Sequence, residues 1–169
     1  MNTMNNYKTN VIHAVIEISA HSSPVKYELD EKGLLWVDRF LNVSMTYPCN
    51  YGVIPGTLSP DGDSADVLVI TPYPLVPGCH IQCKVIGALS MVDQGQQDDK
   101  FIAVPIDDLS EDILDIQLSQ RNAIKHFFQH YKDLDSKGNN VQVGDYINKT
   151  DAIEMLRQSE IKFLSQDNN

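Results

Sequence analysis

Residues 59–70 read SPDGDSADVLVI, a polar turn carrying Asp61, Asp63 and Asp66 that runs straight into an apolar segment. The apolar half has the marks of a strand: it is short, rich in β-branched residues and bounded by turn formers. Runs of the same kind recur on both sides. VIHAVIEI (11–18) and PVKYELD (24–30) alternate, and LLWVDRF (34–40), DVLVITPYP (66–74), HIQCKVIGALSMV (80–92) and KFIAVP (100–105) follow. Turn signals separate them, among them PDGD (60–63), VPGC (76–79) and DQGQ (93–96). Short strands at such spacing predict a closed or strongly curled antiparallel sheet.

The last third changes period. In RNAIKHFFQHYKDL (121–134), Ala123, Ile124, Phe127, Phe128, Tyr131 and Leu134 fall on one helical stripe, with Gly138 as a stop. A second helix is expected from Asp151, where Asp151 and Glu154 have capping-box spacing. Ile153, Leu156, Ile161 and Leu164 would form its inner face. Pattern alone therefore yields an α+β domain, mainly β, in which a barrel-like body carries two helices.

The bulk composition fits one domain spanning residues 1–169, with residues 1–10 and 165–169 expected to fray. No linker divides the chain, and no stretch reaches the roughly 20 apolar residues of a membrane span. The N-terminus lacks the regions of a secretory signal, so a cytoplasmic location is expected. Thirteen Lys and Arg against 23 Asp and Glu leave a net charge of −10, which argues against nucleic-acid binding through a basic surface. A small anion in a locally basic pocket is compatible with that balance. Cys49, Cys79 and Cys83 are an odd set without a signal peptide, which argues against disulfides. CHIQC (79–83) has no second Cys/His pair to complete a zinc site, so these read as small buried residues.

Three like charges in six residues need an explanation, because each raises the cost of ionising the next. A solvated turn is one reading. An EF-hand fails on position: counted from Asp61, the sixth residue is Asp66 rather than Gly, and the twelfth is Pro72 rather than Glu. A carboxylate cluster for a divalent ion shared with phosphate is the third. VDQGQQDDK (92–100) supplies Asp93, Asp98 and Asp99 beside Lys100. Glu17, Lys26 and Glu28 lie on expected strands, with Lys26 and Glu28 on one face. In an ordinary core they would carry a large desolvation cost, so they face solvent or a charged pocket.

The chain resembles the family I soluble inorganic pyrophosphatases of bacterial type. DGDSAD matches the family's D-x-D-x-x-D triad, and VIEISA, PVKYELD, VDRF, YPCNYGVIPGTLS, DVLVITPYPLVPG, AVP and HFFQHYKDL occur in the family's order across residues 11–165. The resemblance implies an OB-like five-stranded β-barrel with flanking strands and two C-terminal helices. It implies hydrolysis of pyrophosphate to two phosphates, by in-line attack of a water activated by several Mg²⁺ ions. Asp61, Asp66, Asp93 and Asp98 match the metal ligands, with Glu17 and Glu28 acting partly through water. Asp63 matches the general base, which takes the proton of the attacking water. Lys26, Arg39, Tyr51, Lys100, Tyr131 and Lys132 match the substrate-binding positions, with Tyr47 nearby. A planar Arg fork, Lys point charges and phenolic donors suit phosphate oxygens.

The chain departs from the pattern at Ser64 and Ala65, inside the triad, and at Gln94, where many relatives carry Glu. Asn139 lies near a frequent second lysine. These changes bear on metal affinity more than on reaction type. The resemblance also implies a homo-oligomer, a hexamer by preference, with His126 and His130 on a helix edge that meets a neighbouring subunit. Two other functions fit the residues: hydrolysis of another short phosphoanhydride, or an OB-like module that binds metal or phosphate without turnover. Asp63, retained beside all four metal-matching aspartates, favours the enzyme, since a pure binder needs no base.

Overall fold

The computed structural model describes residues 10–166. The chain forms β1 (Val11–Ile18), β2 (Val25–Leu29), β3 (Leu35–Phe40), β4 (Asn50–Ile54), β5 (Ala65–Val69), β6 (His80–Asp93), β7 (Gln96–Gln97) and β8 (Lys100–Pro105). A 3₁₀ turn, Ile113–Asp115, precedes α1 (Leu118–His130), β9 (Val141–Ile147) and α2 (Lys149–Gln166). Strands β1, β4, β5, β8 and β6 pair in that order, and β6 returns to β1, closing a five-stranded barrel. β7 and β9 extend from β6, while β2 and β3 form a separate hairpin. The expected OB-like barrel with flanking strands and two helices is what the chain adopts. One pairing, β5 with β8, is parallel.

Alternation along the strands sends side chains into two cores. Ile18, Leu68, Ile86 and Ile102 pack with Ile124, Phe127 and Phe128 of α1. Their neighbours Ile16, Val67, Val69, Val85 and Phe101 pack on the other side with Ala152 and Leu156 of α2. With both faces covered, each fully buried aliphatic contributes about 1.5–3 kcal/mol relative to exposure. Barrel closure also requires β1 and β4 to approach closely. A Cβ on Gly52 would lie 2.0 Å from the Val15 carbonyl oxygen, so no larger residue fits there.

The helices differ from the sequence reading at their ends. α1 stops at His130, Ala123 is exposed and Leu134 is 67% exposed, so the stripe narrows to Ile124, Phe127, Phe128 and Tyr131. α2 begins at Lys149, before Asp151: the Asn148 side chain accepts from the Asp151 amide at 2.9 Å and donates to the Asp151 carboxylate at 2.8 Å. The inner face is Ala152, Leu156 and Ser159, with Met155 against it, whereas Ile161 and Leu164 are largely exposed. Ser159 bonds Leu58 in both directions across the chain, which holds the helix to the loop before the aspartates. An Asn148→Ala change should cost about 1 kcal/mol through the lost cap. Thermal unfolding should then shift down by about 2–4 °C, and an unshifted melt would show that α2 starts without its cap.

The tails also differ in part. Asn10 exchanges hydrogen bonds with Val85, and α2 continues through Gln166; the rest of the expected frayed ends, residues 1–9 and 167–169, lies outside the described residues. Cys49 and Cys83 are buried, Cys79 is half-buried, and all three are free thiols. No helix among the described residues is long and apolar enough to cross a membrane.

Candidate active site

The hairpin and the barrel mouth enclose a cavity of about 760 Å³, lined by every residue that the resemblance matches to metal, substrate or base. The register explains how they meet. β2 pairs with β3 so that Lys26 lies opposite Arg39, putting two cations side by side, with Glu28 two residues along the same face. The Lys26 ammonium binds Glu28 and also reaches Asp38 at 3.5 Å. β5 and β8 pair Val67 with Phe101, which sets Asp66 and Lys100 one residue earlier on adjacent strands.

The aspartate segment is the turn its composition suggested as well as part of the site. Gly62 adopts φ 92°, a left-handed conformation that favours glycine. The Asp63 amide donates to the Asp61 carboxylate at 3.0 Å, and the Asp63 carbonyl accepts from the Ser59 amide at 2.7 Å. These bonds fix the backbone and leave the Asp61 and Asp63 side chains exposed at the mouth. Ser64 and Ala65 fit this turn without disturbing it; Ala65 is buried and its amide donates to the Thr57 hydroxyl at 2.8 Å.

Within the cavity, lysines neutralise the carboxylates. The Lys100 ammonium, 3% exposed, donates to Asp66 and to Asp98, each at 2.7 Å. Lys132 binds Asp93. Burial works against the Lys100 charge, but Asp66 and Asp98 more than reverse this and hold its pKa above the usual value. Asp98 stands above the ordinary carboxylate range because burial outweighs the opposing effect of Lys100. Burial likewise raises Glu17 to about 7, against the hydrogen bond it accepts from the Leu29 amide. Asp63 is raised by burial and then by Asp61, which makes it a stronger proton acceptor than a free aspartate.

Three phenols complete the wall. Tyr47, Tyr51 and Tyr131 are buried among Phe127 and Phe128, with the Tyr47 and Phe127 ring centres 4.5 Å apart. Burial raises all three pKa values, so the phenols remain protonated donors at neutral pH. Lys100 also lies 5.8 Å from the Tyr51 ring centre and 5.9 Å from that of Phe128, within cation–π range.

The donor set suits a hard divalent cation: several carboxylates share one cavity, and the buried Oδ1 of Asp93 has no hydrogen-bond partner among the described residues. No three of these groups converge on one point among the described residues, because the lysine ammoniums stand between them. A cation would therefore take over carboxylates that Lys100 and Lys132 now hold.

Other residues singled out in the sequence serve local structure. Asp99 accepts from the Met91 amide of β6 at 2.9 Å and from the Gln97 side chain. Gln94 sits at φ 52° in the two-residue turn of the β6–β7 hairpin and lines a separate hollow with Lys137 and Asn139 rather than the cavity. Asn139 ties the Gln129 carbonyl to Asp133 at the end of α1. Sequence reading missed Asp30, Glu31 and His80 on the cavity wall. The acidic DEKG turn (30–33) after Glu28 was the available signal for the first two.

Residues 14–163 match the family described as inorganic pyrophosphatase. The chain is 48% identical to the inorganic pyrophosphatase of Rickettsia conorii, covering 91% of each chain, and 50% identical to that of Escherichia coli, covering 81% of each. Among solved structures, it superposes on the Helicobacter pylori inorganic pyrophosphatase with a TM-score of 0.87 at 37% identity, covering 96% of this chain and 99% of that one.

Proposed function

The chain belongs to the inorganic pyrophosphatase family, and from that premise we propose that it hydrolyses pyrophosphate to two phosphates, with Mg²⁺ as its ion and the cavity above as its active site. The observation that carries the reading is the pairing in one cavity of carboxylates for cations with Lys26, Arg39, Lys100 and Lys132 for phosphate.

Asp61, Asp66, Asp93 and Asp98 would hold the ions, with Glu17 and Glu28 alongside. Bound divalent ions supply charge neutralisation at phosphate and acidify coordinated water. Arg39 and Lys26, opposite each other on the hairpin, grip one end of the substrate. Lys100 and Lys132, once their aspartates serve cations, are free to bind phosphate oxygens, while Tyr51 and Tyr131 donate hydrogen bonds without adding charge. Asp63 accepts the proton of the attacking water at the open mouth. Chemistry of this kind is largely positioning and electrostatics, which suits groups fixed by strand register. A cytoplasmic location and assembly as a hexamer, with His126 and His130 at a subunit contact, belong to the same reading.

Phosphate release from pyrophosphate by the purified chain tests it. Release should require Mg²⁺, fall to background with a chelator, and return on readdition. Release indifferent to chelation, or none from folded protein with Mg²⁺, would overturn the assignment.

A further inference from the structure

His13 on β1 and His80 at the start of β6 form a pair that the hydrolytic reaction does not use. The strands pair antiparallel with Val15 opposite His80 and His13 opposite Gln82, so the two imidazoles are diagonal neighbours on one exposed face. Nε2 of His13 and Nδ1 of His80 are 2.6 Å apart and the ring centres 4.7 Å apart. One nitrogen donates and the other accepts, so the pair shares a single proton between two lone pairs directed at each other.

We propose that His13 and His80 form a chelating site for one borderline transition cation, such as Cu²⁺ or Zn²⁺. Imidazole nitrogen suits these ions, whereas the oxygen donors of the neighbouring cavity suit Mg²⁺. Two nitrogens about 2.0–2.1 Å from a tetrahedral ion sit about 3.3 Å apart, so the rings need only part slightly and release the shared proton. No third His, Cys, Asp or Glu closes on the pair among the described residues, so water completes the shell and binding rests on both imidazoles. His80 also lines the edge of the active-site cavity, which puts the ion at its mouth. An ion held there would staple β1 to β6, the two strands that carry Glu17 and Asp93.

Cu²⁺ is the probe, because it is the strongest binder of its row and its electron paramagnetic resonance spectrum counts nitrogen donors. The protein is kept in excess Mg²⁺ to occupy the carboxylates. His126→Gln serves as background, since His126 and His130 form a second close pair, 4.6 Å between ring centres. In that background one Cu²⁺ with a two-nitrogen spectrum is expected. His13→Gln or His80→Gln should each weaken its binding about tenfold or more, because the second imidazole acts at high effective concentration. Circular dichroism checks that each variant is folded. Unchanged affinity and spectrum in either variant, or a one-nitrogen site in the background protein, would overturn the proposal.

Discussion

Asp63→Asn should lower phosphate release from pyrophosphate by about 10²–10⁴-fold, the contribution of a positioned general base. The substitution keeps shape and removes only the capacity to take a proton. No described residue donates a hydrogen bond to the Asp63 carboxylate, and its position is set by its backbone, through the Asp61 and Ser59 contacts. The substituted side chain would inherit that backbone, so the fold and Mg²⁺ affinity should survive and the loss should fall on kcat more than KM. Partial desolvation at the cavity rim holds the Asp63 pKa above that of a free aspartate, which favours proton acceptance. A variant within a few-fold of the parent rate would assign the base elsewhere.

The second large effect concerns stability and its dependence on metal. Lys100→Met removes the ammonium that bridges Asp66 and Asp98 and leaves both carboxylates facing each other in a largely enclosed space. Breaking a buried ion pair from one side costs about 3–5 kcal/mol. The two carboxylates keep about a fifth of their side-chain surface exposed, so the lower end applies. For a chain of this size, about 3 kcal/mol lowers the melting temperature by about 6–12 °C. Mg²⁺ should recover much of that loss, because a divalent ion among the carboxylates supplies the missing positive charge. Melts of parent and variant with Mg²⁺ and with chelator decide it. A deficit that is the same in both would mean that Lys100 and the metal do not substitute for one another.

The candidate site was legible almost completely in the sequence, and for a physical reason. Charged residues inside strands such as Glu17, Lys26 and Glu28 conflict with an ordinary core, which leaves solvent or a charged pocket as their surroundings. Their roles came from the resemblance, not from the pattern. Three strands escaped the pattern. β4 (NYGVI) and β9 (VQVGDYI) contain Gly, Asn or Asp, and β7 is two residues long. Their strand state comes from pairing with distant partners, which outranks local preference. The inner face of α2 is legible only in part: Leu156 faces the barrel as expected, but Ile161 and Leu164 point outward while Ala152 and Ser159 face in. Close packing there selects small residues, and hydrophobicity alone ranks them last. His80 reads in sequence only as part of CHIQC, an incomplete zinc motif, and becomes a cavity residue once β1 lies beside it.

β6 pairs with β1, β7, β8 and β9, so one strand draws partners from residue 11 to residue 147. A nascent polypeptide that ends just after β6 has β1 to pair with but neither β8 nor β9, so it leaves a hydrogen-bonding edge of β6 open, an invitation to pair with neighbouring chains. Long-range pairings of this kind are slow to form, since loop closure precedes any reward from contact. The cavity further needs Tyr131 and Lys132, which emerge after every barrel strand. Competence during biosynthesis should therefore arrive in one late cooperative step, with the interval before it the period of greatest need for chaperones.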